Sequence, residues 1–86
     1  MATLNVSVVA ADHAVWSGEA NMVVARTVEG EIGVLAGHSP ILAILASGEV
    51  RVTLPDGGSI KALAEDGFLS VENNVVTIVA RKAELE

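Results

Sequence analysis

The sequence predicts an all-β fold, a two-layer β-sandwich or flattened barrel of about ten short strands. Two observations carry this. Turn-forming residues recur at intervals of about 8–12 residues along most of the chain. The runs between them are valine-rich, several alternate in polarity, and no helical period persists through them.

The elements follow in order. Leu4, Val6 and Val8 alternate with Asn5 and Ser7, which reads as a half-buried strand. Ala10 to His13 turns, Val15 and Trp16 follow, and Ser17-Gly18 is a further turn signal. Trp16 is the one tryptophan and reads as a plug at the edge of a sandwich core. Met22 to Val28 is a strand with Arg26 on its wet face, and Glu29-Gly30 turns the chain into Glu31–Leu35. Ala36 to Pro40 is a loop. Ile41 to Ala46 is a short apolar run, and its brevity between Pro40 and Gly48 favours strand. Glu49 to Leu54 alternates, with Val50, Val52 and Leu54 opposite Arg51 and Thr53. Pro55-Asp56-Gly57-Gly58 is a hairpin signal. Ser59 to Ala64 returns, with Ile60 and Ala62 opposite Lys61 and Leu63. Asp66-Gly67 reads as a turn, Phe68 to Val71 as a strand, Asn73-Asn74 as a tight turn and Val75 to Ala80 as the closing strand. Residues 1–80 are thus expected to form one sandwich domain. Residues 81–86 contain the helix formers Lys82, Ala83, Glu84 and Leu85, and are expected to begin a helical segment that the chain does not continue.

Composition narrows the function classes. The 86 residues are 51% hydrophobic but only 2% aromatic, so the core must be aliphatic. Eleven acids against five bases give a net charge of −6. Only two of the bases, Arg81 and Lys82, adjoin, so no basic stripe is available for nucleic acid or for an anionic membrane. The chain has no cysteine, which removes disulfide scaffolds and thiol chemistry. The N-terminus lacks the pattern of a signal peptide, and no apolar run is long enough to span a bilayer, so a soluble cytoplasmic domain is expected.

Gly30 to Pro40 concentrates the unusual residues: Gly30, Gly33, Gly37 and Pro40 shape the backbone around Glu31, His38 and Ser39. Phosphate binding is disfavoured, because the segment lacks a Lys-Ser/Thr ending and Glu31 would repel phosphate. Nucleophilic catalysis is disfavoured too, since His13 and His38 sit in no recognisable signature and Ser39 points away from its neighbour His38 in an extended chain. No spacing brings the histidines and acids together as metal ligands. Lys61 is expected inside a strand rather than at a hairpin tip, which argues against a biotinyl or lipoyl carrier. No cofactor, metal or small-molecule substrate is expected. An interaction module remains, because the Ile41–Ala46 run is apolar on both faces and a sandwich strand buries only one.

The motifs carry a family likeness. Gly-Glu-Ile-Gly-Val-Leu-Ala-Gly-His-Ser-Pro, from Gly30 to Pro40, resembles the signature of the epsilon subunit of F-type ATP synthase. Trp16-Ser17-Gly18-Glu19-Ala20 is similar to the family's aromatic-Ser-Gly segment. Gly67-Phe68-Leu69-Ser70-Val71, followed by Asn74-Val75-Val76-Thr77-Ile78, resembles its late hairpin. The resemblance implies a non-catalytic subunit of the rotor stalk whose N-terminal sandwich couples the gamma subunit to the membrane c-ring. It implies a peripheral position on the cytoplasmic face of the cell membrane, within the F1 sector and without lipid insertion. Glu31 and His38 match family positions expected near the ring and the stalk foot. Ile41, Leu42 and Ile44 are expected to face gamma. Ala36 stands where many members have Pro. Glu86 falls where the family's helical hairpin would begin, so hairpin inhibition and ATP binding are not expected of these residues. An unrelated small β-sandwich adaptor is the alternative reading.

Overall fold

The computed structural model describes residues 2–86 and is built of strands and turns. The strands are β1 (Leu4–Ala10), β2 (Ala14–Ala20), β3 (Met22–Thr27), β4 (Gly30–Leu35), β5 (Ile41–Ile44), β6 (Gly48–Thr53), β7 (Ser59–Glu72) and β8 (Val75–Leu85). Among the described residues there are eight, not ten, and two expected turn signals lie inside strands. Ser17-Gly18 sits within β2, where the Trp16 ring lies so close over Gly18 that a Cβ there would stand 2.9 Å from it. Asp66-Gly67 sits within β7.

That second position makes the sandwich. In β7 the buried side chains are Ala62 and Ala64 before it, and Leu69 and Val71 after it. In β8 they are Val76, Ile78 and Ala80, and then Ala83. Both strands therefore exchange their inner and outer faces at the same level. Strands that pass from one layer to the other at a local distortion make the corners of such folds. Here Asp66 adopts φ 56°, opposite Arg81, while the register on either side is unbroken. Gly67 is required by close approach: a Cβ there would lie 2.6 Å from the Ala80 Cα.

The far half of the hairpin pairs through β7 with β6, and β3 and β4 continue that layer. The near half pairs through β8 with β1, in parallel, and through β7 with β5; β2 flanks β1. A bridge between Thr27 and Leu45 ties the layers along a second edge, giving the flattened-barrel character. Between the layers lies an aliphatic core of Leu4, Val6, Val8, Val23, Val34, Val50, Val52, Leu69, Val71, Val76 and Ile78, with Ala10, Ala20, Ala25, Leu45, Ala64, Ala80 and Ala83 around them. Trp16 packs against it from the edge strand β2.

The expected helical start at residues 81–86 is corrected. Ala62, Leu63 and Ala64 of β7 pair with Leu85, Glu84 and Ala83, and the Glu86 N–H donates to the Lys61 carbonyl at 2.9 Å. Helix propensity is worth a few tenths of a kcal/mol per residue, about 0.7 at most between ordinary residues. A neighbouring strand with open hydrogen-bonding groups and a buried place for Ala83 outweighs it.

Candidate functional site

β4 is an outer strand of its layer, and the residues singled out in the sequence are distributed along it. Glu31 lies at its start, paired across the ladder with Arg26. Its carboxylate is 3.6 Å from Arg51, which also lies 3.7 Å from Glu49. These groups are exposed, so the contacts orient side chains more than they stabilise the fold. Before them the Thr27 hydroxyl donates to the Gly30 carbonyl at 2.7 Å and accepts from the Glu29 N–H at 3.2 Å. Gly30 adopts φ 127°, a region that side-chain-bearing residues avoid, which explains the glycine.

His38 lies beyond the opposite end of β4. The His38 N–H donates to the Leu35 carbonyl at 3.2 Å, and Gly37 has φ 86°. These are the marks of a type II turn over Leu35–His38, with Gly37 at the position that needs positive φ. The His38 Nδ1 lies 2.7 Å from the Ser39 carbonyl and is the donor of that pair. Glu31 and His38 are therefore not side by side. They mark the two ends of one edge, separated by most of a strand at about 3.3 Å per residue.

β5 settles the phase of the apolar run. Leu42 and Ile44 point outward, 72% and 57% exposed, whereas Leu45 is buried. Ile41, expected among the surface contacts, is half-buried and packs on the core. Leu42, Ile44, Ile41, Ile32 and Val28 line a shallow groove of about 280 Å³ between β5 and the β3–β4 turn.

The surface continues into residues for which the sequence indicates only strand. Ile44 pairs with Phe68, Phe68 with Val79 and Val79 with Val9. This is an apolar row across four strands, and large side chains in register make strong cross-strand contacts. Beside it runs a row of Leu42, Ser70, Thr77 and Ser7. Neither row carries a charge. The outer face of the other layer instead carries Arg26, Glu31, Glu49, Arg51, Lys61 and Glu84. The register between strands, which the sequence does not display, reveals this asymmetry.

The histidines are held apart. His13 follows the C-terminal end of β1, with Nδ1 2.6 Å from the Asp12 carboxylate. His38 lies at the end where β1 begins, since its loop touches Asn74, which bonds Asn5. The His13 contact lowers the Asp12 carboxyl below its ordinary value, chiefly through the side-chain hydrogen bond. Among the described residues no three His, Cys, Asp or Glu converge as metal ligands. Lys61 lies exposed within β7.

Comparison with known proteins agrees with this geometry. The family described as ATP synthase, Delta/Epsilon chain, beta-sandwich domain matches residues 3–86. The ATP synthase epsilon chain of Micrococcus luteus is 52% identical over 85 residues, covering 99% of this chain and 93% of its own length. That of Streptomyces coelicolor is 50% identical over 84 residues, covering 98% and 68%. A chain in the Euglena gracilis mitochondrial ATP synthase, solved with OSCP, F1 and c-ring, superposes with a TM-score of 0.92 at 29% identity. The match covers 99% of this chain and 54% of the Euglena one, so the present chain spans about half the length of that structural relative. A chain of the Tetrahymena thermophila central stalk and c-ring, at TM-score 0.75 and 14% identity, shares the fold, over 93% of this chain and 64% of its own. The chain belongs to the ATP synthase delta/epsilon family, and residues 3–86 are its β-sandwich domain.

Proposed function

We propose that this domain is a non-catalytic part of the ATP synthase rotor, holding the gamma subunit to the membrane c-ring so that torque passes between them. Its place is peripheral, on the cytoplasmic face of the membrane within the F1 sector. The observation that carries the reading is the uncharged row Ile44–Phe68–Val79–Val9, with Leu42 beside it, on a sandwich whose other face is charged. Leu42, Ile44 and Phe68 are exposed and Val79 and Val9 are half-buried beside them, and a continuous apolar surface of this kind marks a protein partner. Gamma is the partner assigned to it, through Leu42 and Ile44, with Ile41 supporting them from beneath. The β4 edge, from Glu31 to His38, is assigned to the polar loops of the ring. Gly30, Gly37 and Pro40 shape that edge, and Gly33 leaves open space where a Cβ would stand. A layered strand scaffold without lengthy loops suits a coupling element, because it transmits force with little internal give.

Gamma binding tests the reading. Leu42→Glu and Ile44→Glu should leave the fold intact and abolish co-purification with gamma. Normal gamma affinity in both folded variants sinks the assignment.

A further inference from the structure

We propose that Asn74 is the positioning residue of the His38 loop, an inference that rests on the reading of the β4 edge as a ring contact. Asn73 and Asn74 form the two-residue turn between β7 and β8, with φ 50° and 63°. Positive φ at both positions is the mark of a type I′ hairpin turn, and asparagine tolerates it. That accounts for the backbone of Asn74 but not for the use of its side chain.

The Asn74 Oδ1 accepts a hydrogen bond from the Gly37 N–H at 2.7 Å, across 37 positions of sequence. Its backbone carbonyl accepts from the Asn5 N–H at 2.8 Å. One residue thus joins the hairpin turn, the start of β1 and the loop between β4 and β5. Gly37 is the third residue of the Leu35–His38 turn, and the N–H of a type II turn's central peptide points away from the turn. It therefore needs an acceptor from elsewhere or water, and Asn74 supplies one. The loop's other polar ties, His38 N–H to Leu35 and His38 Nδ1 to Ser39, are internal to it. The Asn74 amide fixes the turn against the rigid hairpin and so sets the angle at which His38 is presented.

Two variants isolate the side chain. Asn74→Gly keeps the positive φ that the hairpin needs and removes the acceptor. Asn74→Asp keeps an acceptor oxygen in place. Amide exchange of the isolated chain should show the Gly37 N–H exchanging roughly fivefold faster or more in Asn74→Gly, the ratio set by one net hydrogen bond. Asn74→Asp should restore protection, and amides within β7 and β8 should be unchanged in both. In the assembled synthase, His38→Cys should lose most of its disulfide yield with the ring's polar loops in the Asn74→Gly background. Glu31→Cys should keep its yield. Unchanged Gly37 exchange in Asn74→Gly overturns the proposal, as does loss of protection spread through the hairpin. Failure of both cysteines to cross-link in the parent protein overturns the ring reading instead, and Gly37 exchange still decides the role of Asn74.

Discussion

Asp66 and Arg81 face each other across the β7–β8 hairpin at the level where both strands change layers, with carboxylate and guanidinium 2.9 Å apart. Both side chains are well exposed, so the ion pair itself contributes about 0–1 kcal/mol. The backbone matters more, since Asp66 sits at φ 56°. A residue with an ordinary Cβ in that region costs about 1–2 kcal/mol. Asp66→Ala should therefore destabilise more than Asp66→Gly, although both lose the ion pair. Urea unfolding of the two variants checks the order, and equal destabilisation would assign the corner to the ion pair.

Gly67 is the least replaceable residue of the corner. A Cβ there meets the Val79 carbonyl carbon at 2.8 Å and the Ala80 Cα at 2.6 Å, both backbone atoms of the paired strand. The Gly67 carbonyl also accepts from the Leu45 N–H at 2.9 Å, so a shift disturbs β5 as well. Gly67→Ala should cost about 3 kcal/mol or more, at the upper end for overpacking. A melting temperature lowered by less than about 5 °C would contradict this packing.

The turn at Leu35–His38 offers a stabilising change. Ala36 occupies its second position, where proline's fixed φ is favoured. Among the described residues outside the strands, the Ala36 N–H makes no backbone hydrogen bond. Ala36→Pro should raise stability by about 0.4–1 kcal/mol by restricting the unfolded chain. Thermal unfolding reads this directly, and a lower midpoint would show that the loop departs from type II geometry.

How much was legible in the sequence depends on whether a residue's role was local. Pro55-Asp56-Gly57-Gly58 and Asn73-Asn74 announce their turns because glycine and asparagine chemistry is a property of the residue itself. Alternation in Glu49–Leu54 fixed which side of β6 faces inward. Ser17-Gly18 and Asp66-Gly67 carry the same local chemistry but serve tertiary ends, one beneath an aromatic ring and the other beneath a crossing backbone. Residues 81–85 show the same limit, since their strand state comes from pairing with β7. For the candidate surface, β5 was visible as a two-faced apolar run. Phe68, Val79 and Val9 were not, because register alone aligns them with Ile44.

The Asp12–His13 contact makes a pH prediction. His13 holds the Asp12 carboxyl below its ordinary value of 3.8, first through the hydrogen bond and then through charge. A carboxyl held low contributes stability above its ordinary value and loses it as pH falls through the folded-state value. His13→Ala should move the Asp12 titration up toward the ordinary carboxylate range and remove that acid-side contribution. Carboxyl-carbon NMR titration measures it, and an unmoved Asp12 midpoint would assign the shift to the local backbone.

The phase of β5 separates two classes of substitution that the apolar composition of Ile41–Ala46 would treat alike. Leu45 is 5% exposed and touches the core, so Leu45→Ala removes buried methyl groups and should cost about 2–5 kcal/mol. Leu42 and Ile44 stand largely in solvent, and their alanine variants should cost about 1 kcal/mol or less, the Ile44 loss coming from its cross-strand contact with Phe68. Gamma binding should rank the positions in the reverse order. Leu42→Ala and Ile44→Ala should weaken it, and the folded fraction of Leu45→Ala should bind with nearly parental affinity. Urea unfolding and titration with purified gamma, run on the same three variants, measure both rankings. Weakening in Leu45→Ala that exceeds its unfolded fraction would show that gamma senses the interior of the sandwich rather than the outward face of β5.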